Sequence, residues 1–420
     1  MQKRSLGVAV VLVTALFFLW GFAINLNPIL IPHLKKACQL SDIQSSFIDA
    51  STFMAYFFMA IPAGMFLKRF GYKVGILAGL GLFVLGALLF YPAAGTRAYA
   101  FFLAAIFIIG CGCTILESAA NPYMTELGDM EQPGKGVHLL NFAQSFNGLA
   151  ACLAPLLGRQ FILSGTTYTE AQLKAMPSAD LLAYLQHEAS TVQIPYLLIA
   201  AVVALVAVVC WRTHLPEPQP PQEATSLDWS VLSEPNLRLG VIAQFFYVGA
   251  QVGVSSFFIR FAWHAAQTDE KQAALLLAYF LALFMAGRFV GTYLMRFIAP
   301  ARLLLLFAGI NVLLLLLAVF GEGQAAVYAI GGVEFFMSVM YPTIFALSIR
   351  GLGPRTKEGT SFLVMAIAGG AVFPVLMGFV SDITHNIQLA YAVPIICFAV
   401  VAFFAFKNIA VKEVQLSAAH

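Results

Sequence analysis

Glu117 stands in the middle of GCGCTILESAANPY, a stretch with no other charge. An ionised carboxylate is costly inside an apolar run, so such a group is neutral when enclosed and charged when wetted. That behaviour suits a proton carrier; the alternative use is a fixed hydrogen bond between helices. Asn121 follows four residues later on the same helical face, and Pro122 frees a backbone carbonyl beside it. In LNFAQSFNGL, Gln144 and Asn147 are three apart and share a face, with Asn141 on the same broad side. Amides both donate and accept, as a ligand covered in hydroxyls requires; within membranes they also tie helices together. In GFAINLNPILIPHL, Asn25 can aim an amide into a cavity while Pro28 breaks backbone bonding next to it, and Asn27 points elsewhere and reads as structural.

Further along, MAGRFVGT carries Arg288 about ten residues inside an apolar run, far for a side chain to snorkel to the boundary. It can pair with a buried carboxylate or donate to ligand hydroxyls. Arg260 is nearer its run's end and reads as snorkelling. Glu334, in GGVEFFMSVMYP, is a second carboxylate in an apolar run, able to pair with Arg288 or to join a ligand site. Gln251 and Tyr341, the latter beside Pro342, complete the candidate ligand-binding set, with Trp20 and Tyr247 as weaker aromatic candidates.

The elements that must position these groups are membrane helices. Of 420 residues, 60% are hydrophobic and only 10% charged, against about a quarter charged in an ordinary soluble domain. Such a chain cannot cover its apolar surface with water-compatible groups, so a lipid bilayer is its solvent. Runs of about 20 apolar residues can cross the membrane as helices, and we count twelve: near 6–33, 44–67, 74–93, 98–126, 137–164, 194–213, 237–263, 272–296, 301–320, 323–349, 358–381 and 387–406. The basic, then apolar N-terminus MQKRSLGVAV has the outline of a signal peptide, but no small-x-small cleavage site precedes a soluble domain. About fifteen Lys and Arg residues fall on the side of the N-terminus, among them Lys3, Arg4, Lys68, Arg69, Lys73, Arg296, Arg302, Arg350, Arg355, Lys357, Lys407 and Lys412. About five fall opposite, which places both termini in the cytoplasm.

The stretch LPEPQPPQEATSLDWSVLSEPNLRL divides the chain into six spans plus six, giving an N-terminal bundle over 1–214, a cytoplasmic linker over 215–236 and a C-terminal bundle over 237–420. The external stretch 165–193 is polar and expected to be partly helical. GMFLKRF (64–70) and GTYLMRF (291–297) match in register after the second and eighth spans, and FFLWGFA (17–23) resembles FFYVGAQ (245–251) at nearly the same offset. This pattern indicates an internal duplication: an all-α membrane protein of two pseudo-symmetric six-helix bundles.

The duplicated six-plus-six pattern resembles the major facilitator transporters, in which substrate lies between the halves near the midplane. GMFLKRFGYK has the outline of the superfamily's G-x-x-x-D-R-x-G-R-K loop, with Lys68 in place of the Asp and Tyr72 in place of the second Arg. LFFLWGFAINLNPILIPHL (16–34), LESAANPY (116–123), LNFAQSFNGL (140–149) and MYPTIFAL (340–347) are sharper. Together they resemble the fucose–galactose–glucose:proton symporter family, especially its L-fucose permease branch, over nearly the whole chain. The resemblance implies proton-driven uptake of a monosaccharide, L-fucose or a related hexose, across a bacterial inner membrane, and assigns the family's membrane Glu to Glu117. It departs at Pro28, where the family usually has an Asp suspected of coupling. Pro28 and Asp49 lie about ten residues either side of the external turn near Cys38–Gln39, so Asp49 should sit at comparable depth on the neighbouring helix. We read Asp49 as a second proton-coupling site or a cation ligand.

Sodium in place of the proton, or an uncoupled carrier, is the nearest alternative. A drug exporter would need a more apolar cavity than these amides suggest, and a non-transporting sensor has no appended domain to support it. The chain has no nucleophile–base pair, P-loop or metal-type cysteine spacing, so an enzyme, a cofactor and a metal are not expected. The net charge of +3 does not suggest nucleic acid. A monomer is expected.

Overall fold

A bilayer leaves the backbone no partner but itself, so a spanning chain that is not a closed barrel must be helical. In the computed structural model every regular element among the described residues is helical. These residues are 2–131, 136–165, 168, 170–216, 229–352 and 355–417. The side chains of 2–5, 131, 136–138, 141, 170, 356–358 and 410–417 are not described. Asn141 and the basic residues Lys3, Arg4, Lys357 and Lys412 therefore lie outside the described side chains, and most of the linker lies outside the described residues.

The helices are α1 (Gln2–Asn25), α2 (Asn27–Cys38), α3 (Asp42–Thr96), α4 (Tyr99–Glu131), α5 (Gly136–Phe161), α6 (Glu170–Ala175), α7 (Ser178–Ser190) and α8 (Gln193–Arg212). Then come α9 (Pro235–Ala266), α10 (Glu270–Leu294), α11 (Pro300–Phe320), α12 (Gly323–Met337), α13 (Met340–Ser348), α14 (Thr356–Met365), α15 (Gly369–Thr384), α16 (Ile387–Ala390) and α17 (Ala392–Ser417). Ten described stretches are long and apolar enough to cross a membrane. One of them is the 55-residue α3, which breaks at Gly71 with φ 80° and ψ 173°, a backbone that favours glycine, and so counts twice. With α5 the number is twelve. Phe289, Phe297 and Phe320 are among the large apolar side chains left exposed, which suits hydrocarbon rather than water.

The prolines interrupt the helices unevenly. Pro122, Pro155 and Pro374 lie inside unbroken helices. At Pro28 the first span does break: α1 ends at Asn25, and α2 restarts at Asn27 with Pro28 in its first turn. Pro is tolerated there because a first-turn N–H has no helical partner to lose. The polar stretch 165–193 is helical in α6 and α7, and α7 is tied to α2 by a buried polar group. Lys36 Nζ lies 3.0 Å from Glu188, His33 Nδ1 lies 3.7 Å from the same carboxylate, and Thr191 Oγ1 is 3.2 Å from His33 Nε2.

The chain forms two compact units, one of Met1–Leu40 with Ser51–Ala224, the other of Ser41–Ala50 with Thr225–His420. The ten residues 41–50 therefore belong with the second unit, although they open α3. Its first turn is capped by another helix: the Asp382 carboxylate on α15 accepts from the backbone N–H groups of Asp42 at 2.8 Å and Ile43 at 2.9 Å. Ser381 donates to Asp42 Oδ2 at 2.6 Å. Arg260 pairs with Asp42, donates to Ser45 Oγ at 2.9 Å and lies over the Phe257 ring. This corrects the reading of Arg260 as snorkelling: a carboxylate distant in sequence holds it inside. Gly378 permits the approach, since a Cβ there would stand 2.5 Å from Ser46 Oγ and 2.7 Å from the Asp42 carbonyl oxygen.

Candidate functional site

In the first unit α1, α4 and α5 pack against one another, and the predicted amides gather on these three helices. Gln144 Nε2 on α5 donates to Asn121 Oδ1 on α4 at 3.1 Å, and the Gln144 side chain is exposed. One turn on, Asn147 lies against Gly21 of α1, where a Cβ would come 2.8 Å from Asn147 Nδ2. The Gly21 carbonyl in turn accepts from Asn25 Nδ2 at 2.7 Å. Asn121, Gln144, Asn147 and Asn25 thus follow one another, with Gly21 as the close contact that lets Asn147 reach α1. Each amide has more donors and acceptors than these bonds use, and the remainder have no protein partner among the described residues.

Asn27 departs from this group. It is buried and donates to Thr52 Oγ1 at 3.0 Å, which fits the structural role its helical position implies. A cavity of about 20 Å³ lies beside it, lined by Asn27, Thr52, Cys113 and Tyr196 among others. That is space for about one water, far below a sugar's volume.

Glu117 sits half-buried on α4, one turn before Asn121. Its carboxyl group lies beside the Tyr56 phenol of α3 and near the Cys113 thiol. Sequence reasoning missed Tyr56. The available signal was spacing: Asp49, Thr52 and Tyr56 recur at helical intervals on one face of an otherwise apolar run. Asp49 is 1% exposed, one turn before the Thr52 that bonds Asn27.

The second unit holds its polar groups more tightly. Glu334 on α12 is 1% exposed and accepts at Oε1 from Ser255 Oγ at 2.6 Å. It was expected to pair with Arg288 or to join a ligand site; among the described residues it makes no ion pair with Arg288. Arg288 Nε instead donates to the Ser338 carbonyl, one turn beyond Glu334, at 3.3 Å, and its guanidinium lies over Phe284. The arginine is itself exposed, so its other N–H groups are available. Gln251 and Tyr341 are half-buried. Tyr247 and Trp20 are core residues: the Tyr247 hydroxyl donates to the Met337 carbonyl at 2.9 Å, and Trp20 packs against Phe17 with ring centroids 4.3 Å apart.

Chemically, the first unit presents a neutral donor–acceptor surface next to a titratable carboxyl group, which fits a polyol. Among the described residues no group of three or more His, Cys, Asp or Glu could hold a metal ion.

Residues 11–365 match the family described as the Major Facilitator Superfamily. The "Glucose/galactose transporter" of Brucella abortus is 39% identical over 407 residues, 96% of this chain and 94% of that protein. The "L-fucose-proton symporter" of Escherichia coli is 39% identical over 413 residues, again 96% and 94% of the two chains. A crystal structure of the Escherichia coli fucose:proton symporter aligns with a TM-score of 0.68 at 38% identity, over 96% of this chain and 99% of that one.

Proposed function

Because the chain belongs to the Major Facilitator Superfamily, among its fucose–galactose–glucose:proton symporters, we propose that it carries a monosaccharide, L-fucose or a related hexose, inward across the bacterial cytoplasmic membrane together with a proton. Both termini lie in the cytoplasm, as the placement of Lys and Arg supports, and the carrier acts as a monomer. The observation that carries this reading is the amide surface of the first unit. Gln144 and Asn121 are bonded to each other and still hold unused donors and acceptors, with Asn147 and Asn25 beside them. Sugar hydroxyls exchange their bonds to water for bonds to these amides. Gln251, Arg288 and Tyr341 are likewise assigned to sugar binding.

Glu117 carries the proton. When it is protonated, the site that receives a neutral sugar is itself neutral at this position. When water enters, the carboxyl ionises and its proton leaves. Asp49 supplies the second coupling carboxylate in the absence of an acid at Pro28.

Uptake of labelled L-fucose, D-galactose and D-glucose into vesicles, with pH and sodium gradients imposed separately, tests the reading. Accumulation under an inward proton gradient is expected for at least one of these sugars. Accumulation under sodium alone would replace the proton by a cation, and uptake of none of them would remove the sugar assignment.

A further inference from the structure

Glu334 is enclosed in this structure. Its Oε2 is buried with no hydrogen-bond partner, and no Lys, Arg or His pairs with the carboxyl group among the described residues. None of the ionisable groups on the helices around α12 bonds to this carboxyl group among the described residues. On α9, Tyr247 donates to the Met337 carbonyl, and Arg260 is held by Asp42 and Ser45. On α10, Arg288 donates to the Ser338 carbonyl. On α17, Tyr391 donates to the Val254 carbonyl at 3.0 Å. Tyr341 on α13 faces Tyr247 with ring centroids 6.4 Å apart. The only ionisable residue of α11 is Arg302, in its first turn.

One group does meet the carboxyl, and it is placed to do so in two ways. Ser255 Oγ lies 2.6 Å from Glu334 Oε1 and 3.3 Å from the backbone carbonyl oxygen of Gln251. A hydroxyl has one proton to give and lone pairs to accept with, while a carbonyl can only accept. When Glu334 is ionised, the Ser255 proton points to Oε1. When Glu334 carries a proton on Oε1, that proton is donated to Ser255 Oγ, and the serine proton turns to the Gln251 carbonyl. Either state is accommodated by rotation about a single C–O bond. A carboxylate held by arginine has no such freedom, since its partner cannot accept.

We infer that Glu334 is a further proton-carrying group of this transporter, seated on Ser255, with its protonation state transmitted to the backbone at Gln251. The inference rests on the sugar–proton reading above. In the release step the carboxyl O–H bond breaks, its electron pair stays on the carboxylate, the proton passes to an entering water, and Ser255 turns from Gln251 to Oε1. Uptake is the reverse, and water is the only other reactant. Gln251 follows directly, because it stands one turn from Ser255 on α9 and is one of the proposed sugar contacts.

The test uses the whole protein in proteoliposomes, with labelled L-fucose, D-galactose and D-glucose as probes and a pH-sensitive dye inside. Glu334→Gln is expected to lose sugar-driven proton uptake and uphill accumulation, while sugar exchange falls far less. A wild-type proton-to-sugar ratio in this variant would overturn the inference. Ser255→Ala provides an independent variant should Glu334→Gln not fold. It is expected to displace the pH profile of sugar affinity, and an unchanged profile would count equally against the proposal. If the wild type accumulates sugar on sodium alone, the inference falls while sugar transport stands. If the wild type moves none of the three sugars under any gradient, the reading beneath it fails instead.

Discussion

Glu117 lies beside a phenol and one turn from an open amide surface; Glu334 is enclosed and faces a serine backed by a main-chain carbonyl. In our proposal each unit links a carboxyl group to a proposed sugar contact, and each by a different route. In the first, side chains at successive turns of one helix can report on each other directly, because Glu117 and Asn121 share a face. In the second, the connection passes through the backbone of α9, where Ser255 can bond to Gln251. Side-chain routes are broken by single substitutions. A backbone route can be altered only through the group that bonds to it.

The comparison is broken most severely at Glu117. Glu117→Gln should abolish accumulation against a gradient, measured as the steady-state ratio of internal to external sugar, while exchange survives in part because a neutral amide mimics the protonated acid. Full accumulation by this variant would remove Glu117 from coupling. Gln144→Ala and Asn147→Ala should each weaken sugar binding by roughly 1–3 kcal/mol, since hydroxyls are left unpaired. Titration calorimetry at fixed pH reads this, and unchanged affinity in both would dismantle the amide surface. Tyr56→Phe removes the phenol oxygen beside Glu117 and should alter the pH profile of transport, with a binding loss of about 1 kcal/mol or less. An unaltered profile would show that the phenol is only packing. The smallest effect is expected at Asp49→Asn, as a changed dependence of transport on external pH or sodium. No change on either axis would confine coupling in the first helices to Glu117.

Much of the first unit's candidate site was legible in the sequence because polar residues are conspicuous in apolar runs. Glu117, Asn121, Gln144 and Asn147 could be placed on shared faces by spacing alone, and the structure brings Gln144 to Asn121. The break at Pro28 was legible for the same local reason. Partners supplied by another helix were not. Tyr56 is one of 14 tyrosines, and its spacing from Asp49 and Thr52 marks its helix face but not the Glu117 on another helix that it meets. Arg260 looked like a snorkelling residue because its partner Asp42 is 218 positions away. Glu334 was a candidate partner for Arg288 although their estimated depths differ by more than a turn, and the structure gives each a different acceptor or donor. Spacing rules describe one helix at a time, and they carry no information about which helices meet.

The ten residues at the start of α3 have a practical consequence for handling this protein in pieces. A chain cut within the linker yields a C-terminal fragment that lacks residues 41–50. Arg260 then keeps its charge inside without Asp42, and Asp382 loses the two backbone donors it caps. Leaving one member of such a buried pair behind costs about 3–5 kcal/mol. The C-terminal fragment is therefore unsuited to solitary expression, and supplying 41–50 in trans, as part of the N-terminal fragment or as a tethered peptide, is the natural complementation.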